Sequence, residues 1–426
     1  MPTTPHISAP LQPCLHALEA HLLTQCQAIE AWFESEWRKT PAPVYGSVDL
    51  RNAGFKLAPI DMNLFPAGFN NLNPDFLPIA VAAAERAIHR IVPAAKNILI
   101  IPESHTRNLF YFENIATLKH ILASAGFIVR FGSLSLEHAP TTITLPSTRT
   151  LTLEPLLRVN HQLQLEGFQP DFILLNNDLS EGIPEVLQGI TQTMIPPAEL
   201  GWSHRLKSGH FQVYAEVIDD FAKEVNVDPW LLAPLFRHCG EIDFMHQEGM
   251  SCLIANAEAL FQDLQEKYNH YGITHKPFLI VKADAGTYGM AVMTVRHPDE
   301  LRSMNRKQRT KMSTTKGGQP VRRVIIQEGV YSFETAGDDQ SVAEPVVYLW
   351  GDRVVGGFYR VHKDRASDES LNAPGMHFEP MPFSHGCHEP CSDHSPAAAQ
   401  NQFYIYGLVA KLSMLAAARE MKEQRT

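Results

Sequence analysis

Residues 277–295 read PFLIVKADAGTYGMAVMTV, two apolar runs separated by a short segment that contains glycine. Each run favours a strand, because branched apolar residues suit an extended, half-buried backbone. Backbone amides in a tight glycine loop bind polyphosphate groups, and a nearby lysine adds positive charge. We therefore predict a nucleotide-binding loop whose residues are Lys282, Gly286, Thr287, Tyr288 and Gly289.

This loop differs from the two common nucleotide-binding motifs. It lacks the GxxxxGK[ST] pattern of a P-loop, and a strand follows its glycines where a Rossmann fingerprint has a helix. By itself the segment is equally typical of an ordinary glycine-containing hairpin. The interpretation therefore depends on what surrounds it.

The chain downstream of the loop is rich in predicted strands. RRVIIQEGV (322–330) is an apolar strand that ends at Gln327 and Glu328, where a hinge could bind adenine through backbone groups. AEPVVYLWGDRVVGGFYRV (343–361) predicts a hairpin that carries Arg360 near its end. A nucleotide bound in the glycine loop would thus have a hinge and an arginine nearby.

A second unusual stretch lies far upstream, where residues 58–73 read APIDMNLFPAGFNNLN. Asp61 and Asn63 are two residues apart, so both side chains project from the same face if the segment is a strand. The pattern predicts either a turn before a loop or half of a metal site. For a metal such as Mg²⁺, which prefers hard oxygen ligands, Asp284 at the edge of the glycine loop is a further candidate.

Between these stretches, residues 96–270 alternate between predicted strands and helices, which indicates a layered α/β sheet. Ligands bind such sheets beyond the carboxyl ends of the strands. Arg107 and Asn108 follow one strand, and we predict that this loop contacts substrate, because His and Arg are not needed to cap a helix. For the polar residues 176–178, after another strand, helix capping and turn formation remain the alternative.

Size and composition limit the classes of function. A chain of 426 residues suits two or three domains, and its formal net charge of −10 argues against nucleic acid as a partner. No apolar run reaches the roughly 18 residues of a membrane span, and no secretory signal is evident, so we predict a cytoplasmic protein. The segment HGCHEPCSDH near Cys387 and Cys391 is a weak zinc candidate, and a flexible surface loop is the preferred interpretation.

The order of the C-terminal motifs resembles the ATP-grasp superfamily of carboxylate–amine ligases. In that family a strand lysine and a glycine lid precede an apolar strand ending in an acidic residue, and an arginine directed at the γ-phosphate follows. One element is missing here, since most members carry a Glu-x-Asn metal pair after the arginine. Ile60-Asp61-Met62-Asn63 has the form of that pair, with Asp in place of Glu. This is similar to the permuted layout of eukaryotic-type glutathione synthetases.

Over roughly residues 44–380 the chain resembles the proteobacterial type of glutamate–cysteine ligase. The stretches that carry the resemblance are VYGSVDLRNAGFKLAPIDMNLFPAGFNNL, IPESHTRN, LGWSHRLKSGHF, VKADAGTYGMAV and FYRVHKDRASDESLNAPGMHFEP. It implies an ATP- and Mg²⁺-dependent enzyme that joins the γ-carboxylate of L-glutamate, through an acylphosphate, to L-cysteine, giving γ-glutamylcysteine for glutathione biosynthesis. It also implies catalytic roles for Lys282 and Arg360, nucleotide contacts at Asn372, and metal ligands at Asp61, Asn63 and Asp284.

Glutamate needs cations for its α-carboxylate and acceptors for its ammonium group. Ser47, Asp49 and Arg51 alternate on one predicted strand face just before the metal strand, and a surface ion pair is the alternative for the last two. The further substrate candidates are Arg107, Asn108, Arg205 and Lys207.

The predicted fold is therefore α/β and ATP-grasp-like, in three regions. Residues 1–95 contribute a helix and the metal strand, residues 96–270 form a substrate domain, and residues 271–426 form the nucleotide-binding region. A homo-oligomer is left open. The competing functions are a glutathione synthetase-like or other amino-acid ligase on the same scaffold, and a non-catalytic nucleotide-binding protein.

Overall fold

The computed structural model describes residues 7–8, 13–104, 108–136, 138–286, 291–314, 318–381 and 402–423. The helices in these residues are α1 (Pro13–Thr24), α2 (Cys26–Lys39), α3 (Leu77–Ile91), α4 (Leu109–Ser124), α5 (Lys207–Val225), α6 (Met250–His270), α7 (Asp299–Arg302), α8 (Arg306–Ser313) and α9 (Gln402–Glu423). The strands are β1 (Ile7–Ser8), β2 (Tyr45–Asn52), β3 (Leu57–Asn63), β4 (Asn97–Pro102), β5 (Ile128–Ser133), β6 (Thr141–Thr144), β7 (Thr150–Pro155), β8 (Leu157–Val159), β9 (Gln162–Gln164), β10 (Phe172–Asn176), β11 (Met194–Ile195), β12 (Phe236–Cys239), β13 (Leu279–Ala283), β14 (Val292–Val295), β15 (Val324–Glu328), β16 (Glu334–Ala336), β17 (Ser341–Trp350), β18 (Arg353–His362) and β19 (His377–Pro380).

The predicted α/β class is confirmed, and the strands form three main sheets. The largest is a seven-stranded sheet in which β16, β17, β18 and β19 follow one another, while β2 also pairs with β17 and β3 pairs with β2. Strands from the N-terminal region thereby complete a sheet built mostly from the C-terminal region. This is the arrangement that the permuted position of the metal strand predicts.

The second sheet contains six strands in the order β11-β10-β4-β5-β7-β6. Its strands are parallel except for the pairing of β6 with β7. Strands β4 and β10 are adjacent and parallel, so the loops after both strands leave the sheet at the same edge. That edge contributes to the site described below.

The third sheet is antiparallel, in the order β12-β15-β13-β14. Strand β12 belongs to it although it lies in the predicted substrate domain, so the predicted boundary at residue 270 cuts through this sheet. The reason is that the short strand β12 completes its backbone hydrogen bonds with β15, nearly ninety residues downstream. The N-terminal helix predicted within residues 1–95 is in fact two helices, α1 and α2, which meet at Gln25.

Helix α9 packs in the middle of the largest core cluster, against α5 and the strands β2 and β3. Its side chains from Tyr404 to Ala418 are almost all buried, which is typical of a helix enclosed on every face. Across the described residues, no helix is long and apolar enough to cross a membrane.

A buried carboxyl group links α9 to the seven-stranded sheet. Glu334 on β16 accepts hydrogen bonds from the Tyr406 hydroxyl and, at 3.5 Å, from the Asn52 amide. Burial raises the pKa of Glu334 to about 8, although both hydrogen bonds act in the opposite direction. The carboxyl is therefore protonated in the folded protein at neutral pH.

We expect the free energy of unfolding to fall as pH rises from about 4.5 to about 8, because the unfolded chain releases the Glu334 proton first. The contribution to the slope is at most about 1.4 kcal/mol per pH unit. Urea unfolding at several pH values in this range should show that Glu334→Gln removes this contribution to the slope. Glu266→Gln, at an exposed position of α6, is the matched control and should keep the wild-type slope. An unchanged slope in the Glu334→Gln protein would contradict the assignment.

Candidate active site

A cleft of about 740 Å³ lies where the three sheets approach one another. One wall is a face of the seven-stranded sheet, and a second is formed by the four-stranded sheet. The third comes from the loops after β4 and β10, through Glu103, Asn108 and Asp178.

The polar floor of the cleft follows from strand periodicity. Alternate residues of a strand share one face, and the antiparallel register places Asp49 opposite both Asp61 and Val346, and Glu344 opposite Arg360. Side chains from four adjacent strands therefore point into the same space. Those that line the cleft are Ser47, Asp49, Arg51, Asp61, Asn63, Glu344, Val346, Tyr348, Phe358 and Arg360.

Asp61 forms the centre of the charged group. Both of its carboxylate oxygens accept from Lys207 Nζ, at 3.0 and 3.1 Å. Burial alone would raise the pKa of Asp61, but the charges of Lys207 and Lys282 outweigh it and lower that pKa to about 2. The Asn63 side chain also faces the cleft and forms a turn with the Phe65 backbone. Asp61 is thus a permanent anion at the cleft surface.

Arg360 connects two further carboxylates. Its Nη1 donates to Asp49 Oδ2 at 3.0 Å and to Glu344, and its buried Nε has no hydrogen-bond partner in the described residues. Burial opposes its positive charge, but Asp49 and Glu344 more than compensate and raise the pKa of Arg360. The pKa of Asp49, by contrast, is raised, chiefly by burial. Arg360 is thus a fixed cation held between two carboxylates at the cleft.

Arg51 also lines the cleft, but its guanidinium is occupied by structural contacts. It pairs with Glu344 at 3.0 Å and donates to the backbone carbonyls of Val330 and Glu369. The residue therefore fastens the loop near residue 369 to the sheet and supports Glu344. The substrate contact predicted for Arg51 stays a prediction that these contacts do not favour.

Lys282 reaches across the cleft from the four-stranded sheet. Its Nζ donates to the backbone carbonyl of Ile60 at 2.7 Å, next to Asp61. Burial lowers the pKa of Lys282 to about 8, and Asp61 opposes that shift. The strand lysine and the N-terminal strand, more than two hundred residues apart in sequence, thus meet directly.

The wall beside Lys282 suits a flat apolar ring. Ile280, Val292 and Val330 line it together with Gln327, whose buried Nε2 lacks a hydrogen-bond partner among the described residues. Gly286 and Asn372, both predicted nucleotide contacts, also border the cleft. The predicted residues Arg107, Thr287, Tyr288 and Gly289, and the zinc candidates Cys387 and Cys391, lie outside the described residues.

Three predicted site residues use their side chains for buried structural contacts. Arg205 forms a buried pair with Glu420 of α9, at 2.8 Å, and donates to the backbone carbonyl of Met62. Arg205 does not line the cleft and supports strand β3, so the substrate contact predicted for it stays a prediction that these contacts do not favour.

The carboxylate of Glu328 is also fully used by the core. It accepts from Lys56 Nζ at 2.9 Å, from the Trp230 indole and from the Leu235 amide. The backbone N–H of Glu328 donates to the Leu235 carbonyl at 2.7 Å, so these contacts do not favour the adenine hinge predicted at this residue, which stays a prediction. Sequence reasoning missed Lys56, because a single lysine in GFKLAP gives no sign of a partner 272 residues away.

Asp284, the predicted third metal ligand, caps a helix. Its two oxygens accept from the backbone amide and the hydroxyl of Ser208, both at 2.7 Å, and the side chain is buried away from the cleft lining. Its charge thereby stabilises the first turn of α5, which carries Lys207. The structure does not bring Asp284 together with Asp61 and Asn63.

Replacing Asp284 with Asn distinguishes the helix-capping role from the predicted metal role. We expect the free energy of unfolding, measured by urea denaturation, to fall by about 1–2 kcal/mol, because a charged cap is lost. The Mg²⁺ concentration for half-maximal ATP turnover should change less than about twofold, since metal affinity depends on first-sphere oxygen ligands. Ser208→Ala, which removes one of the same hydrogen bonds, is the matched control. A large rise in the Mg²⁺ requirement with unchanged stability would support the predicted role of Asp284 as a metal ligand.

No group of three or more His, Cys, Asp or Glu side chains in the described part of the chain is arranged as a complete metal site. Asp61, with Asn63 beside it and Asp49 opposite, is a partial set of oxygen donors. Such a set suits Mg²⁺ that is held largely by the phosphates of a nucleotide.

Comparison with known proteins identifies the family of the chain. A model of the glutamate-cysteine ligase family matches residues 19–421. A crystal structure of a "putative gamma-glutamylcysteine synthetase" from Methylobacillus flagellatus KT is 51% identical and covers 99% of each chain, with a TM-score of 0.91. D-alanyl-alanine synthetase A from Vibrio cholerae O1 is only 9% identical over 69% of this chain and 77% of its own, with a TM-score of 0.32.

No curated protein sequence matches the chain significantly. The family model nevertheless spans nearly the whole chain, and so does the similar crystal structure. The predicted enzyme class is thus confirmed: the chain belongs to the glutamate-cysteine ligase family and is a ligase.

Proposed function

We propose that the cleft is the active site of an ATP-dependent reaction that joins the γ-carboxylate of L-glutamate to the amino group of L-cysteine. The observation that supports it most strongly is the convergence of Asp49, Asp61, Lys282 and Arg360, which come from opposite ends of the chain. These four side chains place two carboxylates, a strand lysine and an arginine in a single cleft. Phosphoryl transfer needs little more than such positioning and charge.

In this proposal ATP lies against the four-stranded sheet. The ring would occupy the wall of Ile280, Val292 and Val330, where the unpartnered Gln327 amide offers a donor to an adenine nitrogen. Lys282 would bind the phosphates, since a pKa of about 8 leaves it mostly protonated at neutral pH.

Asp61 and Asn63, with Asp49 opposite, would hold Mg²⁺, which neutralises charge on the transferred phosphoryl group. Lys207 now neutralises Asp61, and it can turn toward an anionic substrate when a metal replaces it. Glutamate would contact Ser47 and Asn108 at the other end of the cleft. The proposal includes small-molecule substrates and a cytoplasmic location, which membership of the family supports.

The decisive experiment measures ADP and phosphate release with defined substrate pairs. Turnover is expected with glutamate plus cysteine and not with γ-glutamylcysteine plus glycine. Release only with the second pair would support the glutathione synthetase-like alternative. ATP binding without turnover for any amino-acid pair would support the non-catalytic alternative.

A further inference from the structure

Two cysteines outside the cleft lie within reaction distance of each other. Cys239 Sγ, at the end of β12, is 3.0 Å from Cys252 Sγ, in the first turn of α6. Both are free thiols in the structure, and neither lines the active-site cleft. The Asn256 side-chain amide donates to both sulfurs, at 3.3 and 3.4 Å.

The surroundings of the two sulfurs differ in a way that assigns them different roles. Cys252 is exposed and can meet a small molecule from solvent, whereas Cys239 is 2% exposed and can reach only Cys252. Burial raises the pKa of the Cys239 thiol to about 12, and the hydrogen bond with Cys252 adds to the shift. An exposed thiol backed by a second thiol is the arrangement of a redox-sensing pair.

We propose that Cys239 and Cys252 form a reversible disulfide by exchange with low-molecular-weight disulfides. The Cys252 thiolate attacks the small disulfide, forms a mixed disulfide and releases one small thiol. Cys239 then gives up its proton and attacks Cys252 Sγ, so that the second small thiol leaves. Two protein thiols are oxidised by two electrons, and one small disulfide is reduced to two thiols.

The disulfide would lie on the sheet that forms one wall of the cleft. Cys239 pairs with Val324 on β15, the strand that also carries Gln327. Closure would tie α6 to this edge of the sheet and restrict the unfolded chain between residues 239 and 252, so the oxidised protein should unfold at a higher temperature. Free L-cysteine, the substrate in the proposed function, is itself a small thiol. Its oxidation yields a low-molecular-weight disulfide, which is the class of molecule that would exchange with this pair.

The test uses the full-length chain with Cys14, Cys26, Cys387 and Cys391 replaced by Ser, which leaves only the proposed pair. This protein is equilibrated with bis(2-hydroxyethyl) disulfide and 2-mercaptoethanol at graded ratios. We expect two thiols to disappear together, the mass to fall by two hydrogens, and the thermal midpoint to rise. Reduction with excess 2-mercaptoethanol should reverse all three changes.

Single variants in the same background separate the two steps. With Cys239→Ala the reaction should stop at a mixed disulfide on Cys252, and with Cys252→Ser no thiol should be lost. The proposal is overturned if both thiols persist at the most oxidising ratio, or if the parent protein stops at the mixed disulfide. Because the readouts are thiol content, mass and melting, failure here is distinct from failure of the proposed ligase reaction.

Discussion

Arg360→Lys is expected to lower the rate of ADP formation by about 10²–10³-fold while the protein remains folded. Lysine keeps the positive charge but lacks the planar set of donors with which Arg360 holds both Asp49 and Glu344 at the cleft. The loss should appear in kcat more than in KM, because the missing interaction is strongest with the charge that develops during phosphoryl transfer. Steady-state assays with glutamate, cysteine and ATP measure both constants.

The control for this variant is Arg353→Lys, at the exposed start of the same strand. It should leave kcat unchanged, and thermal unfolding should show that both proteins are folded. If Arg360→Lys kept wild-type kcat, the arginine would serve only to pair buried carboxylates, and the assignment of the cleft to phosphoryl transfer would lose its main cation.

Asp61→Asn is expected to reduce turnover by a similar factor, about 10²–10³-fold, and to raise the Mg²⁺ concentration needed for half-maximal activity. The amide keeps the shape of the side chain but loses the charge that attracts a divalent ion and now neutralises Lys207 and Lys282. Titration of activity with Mg²⁺ at saturating ATP distinguishes the loss of metal affinity from a general loss of rate.

Asp75→Asn, on an exposed turn outside the cleft, is the matched control and should behave as wild type. The free energy of unfolding should fall moderately, because the buried Lys207 and Lys282 lose a counter-charge, although the side chain of Asp61 is 36% exposed and water partly screens its pairing with Lys207. Thermal unfolding should show that the variant is folded. Full activity with an unchanged Mg²⁺ requirement would contradict the proposal that strand β3 supplies the metal ligands.

The sequence predicted those parts of the site that depend on local pattern. Strand periodicity placed Asp61 and Asn63 on one face, and also Ser47, Asp49 and Arg51; the structure brings both sets to the cleft. The hairpin of β17 and β18 and the strands around the glycine loop follow from apolar alternation and turn residues. These features can be predicted because each is decided by neighbours within a few residues.

The remaining features depend on partners that a single sequence does not reveal. Arg205 and Glu420 are 215 residues apart, and Lys56 and Glu328 are 272 apart, so no local pattern predicts either pair. Asp284 has the residue type of a metal ligand, but the position of α5 decides that its oxygens cap a helix. A single sequence can therefore mark these charged residues as candidates for the site, whereas tertiary packing determines which of them face the cleft.

Helix α9 has a consequence for the order in which the protein is made. It supports β3 through Glu420 and Arg205, whose guanidinium holds the backbone carbonyl beside Asp61. A ribosome therefore releases β2 and β3 long before it has synthesised β17, their partner strand, or α9. Nascent chains that stop before residue 402 should expose the apolar underside of these strands to chaperones, and ligase activity should arise only after α9 has left the exit tunnel.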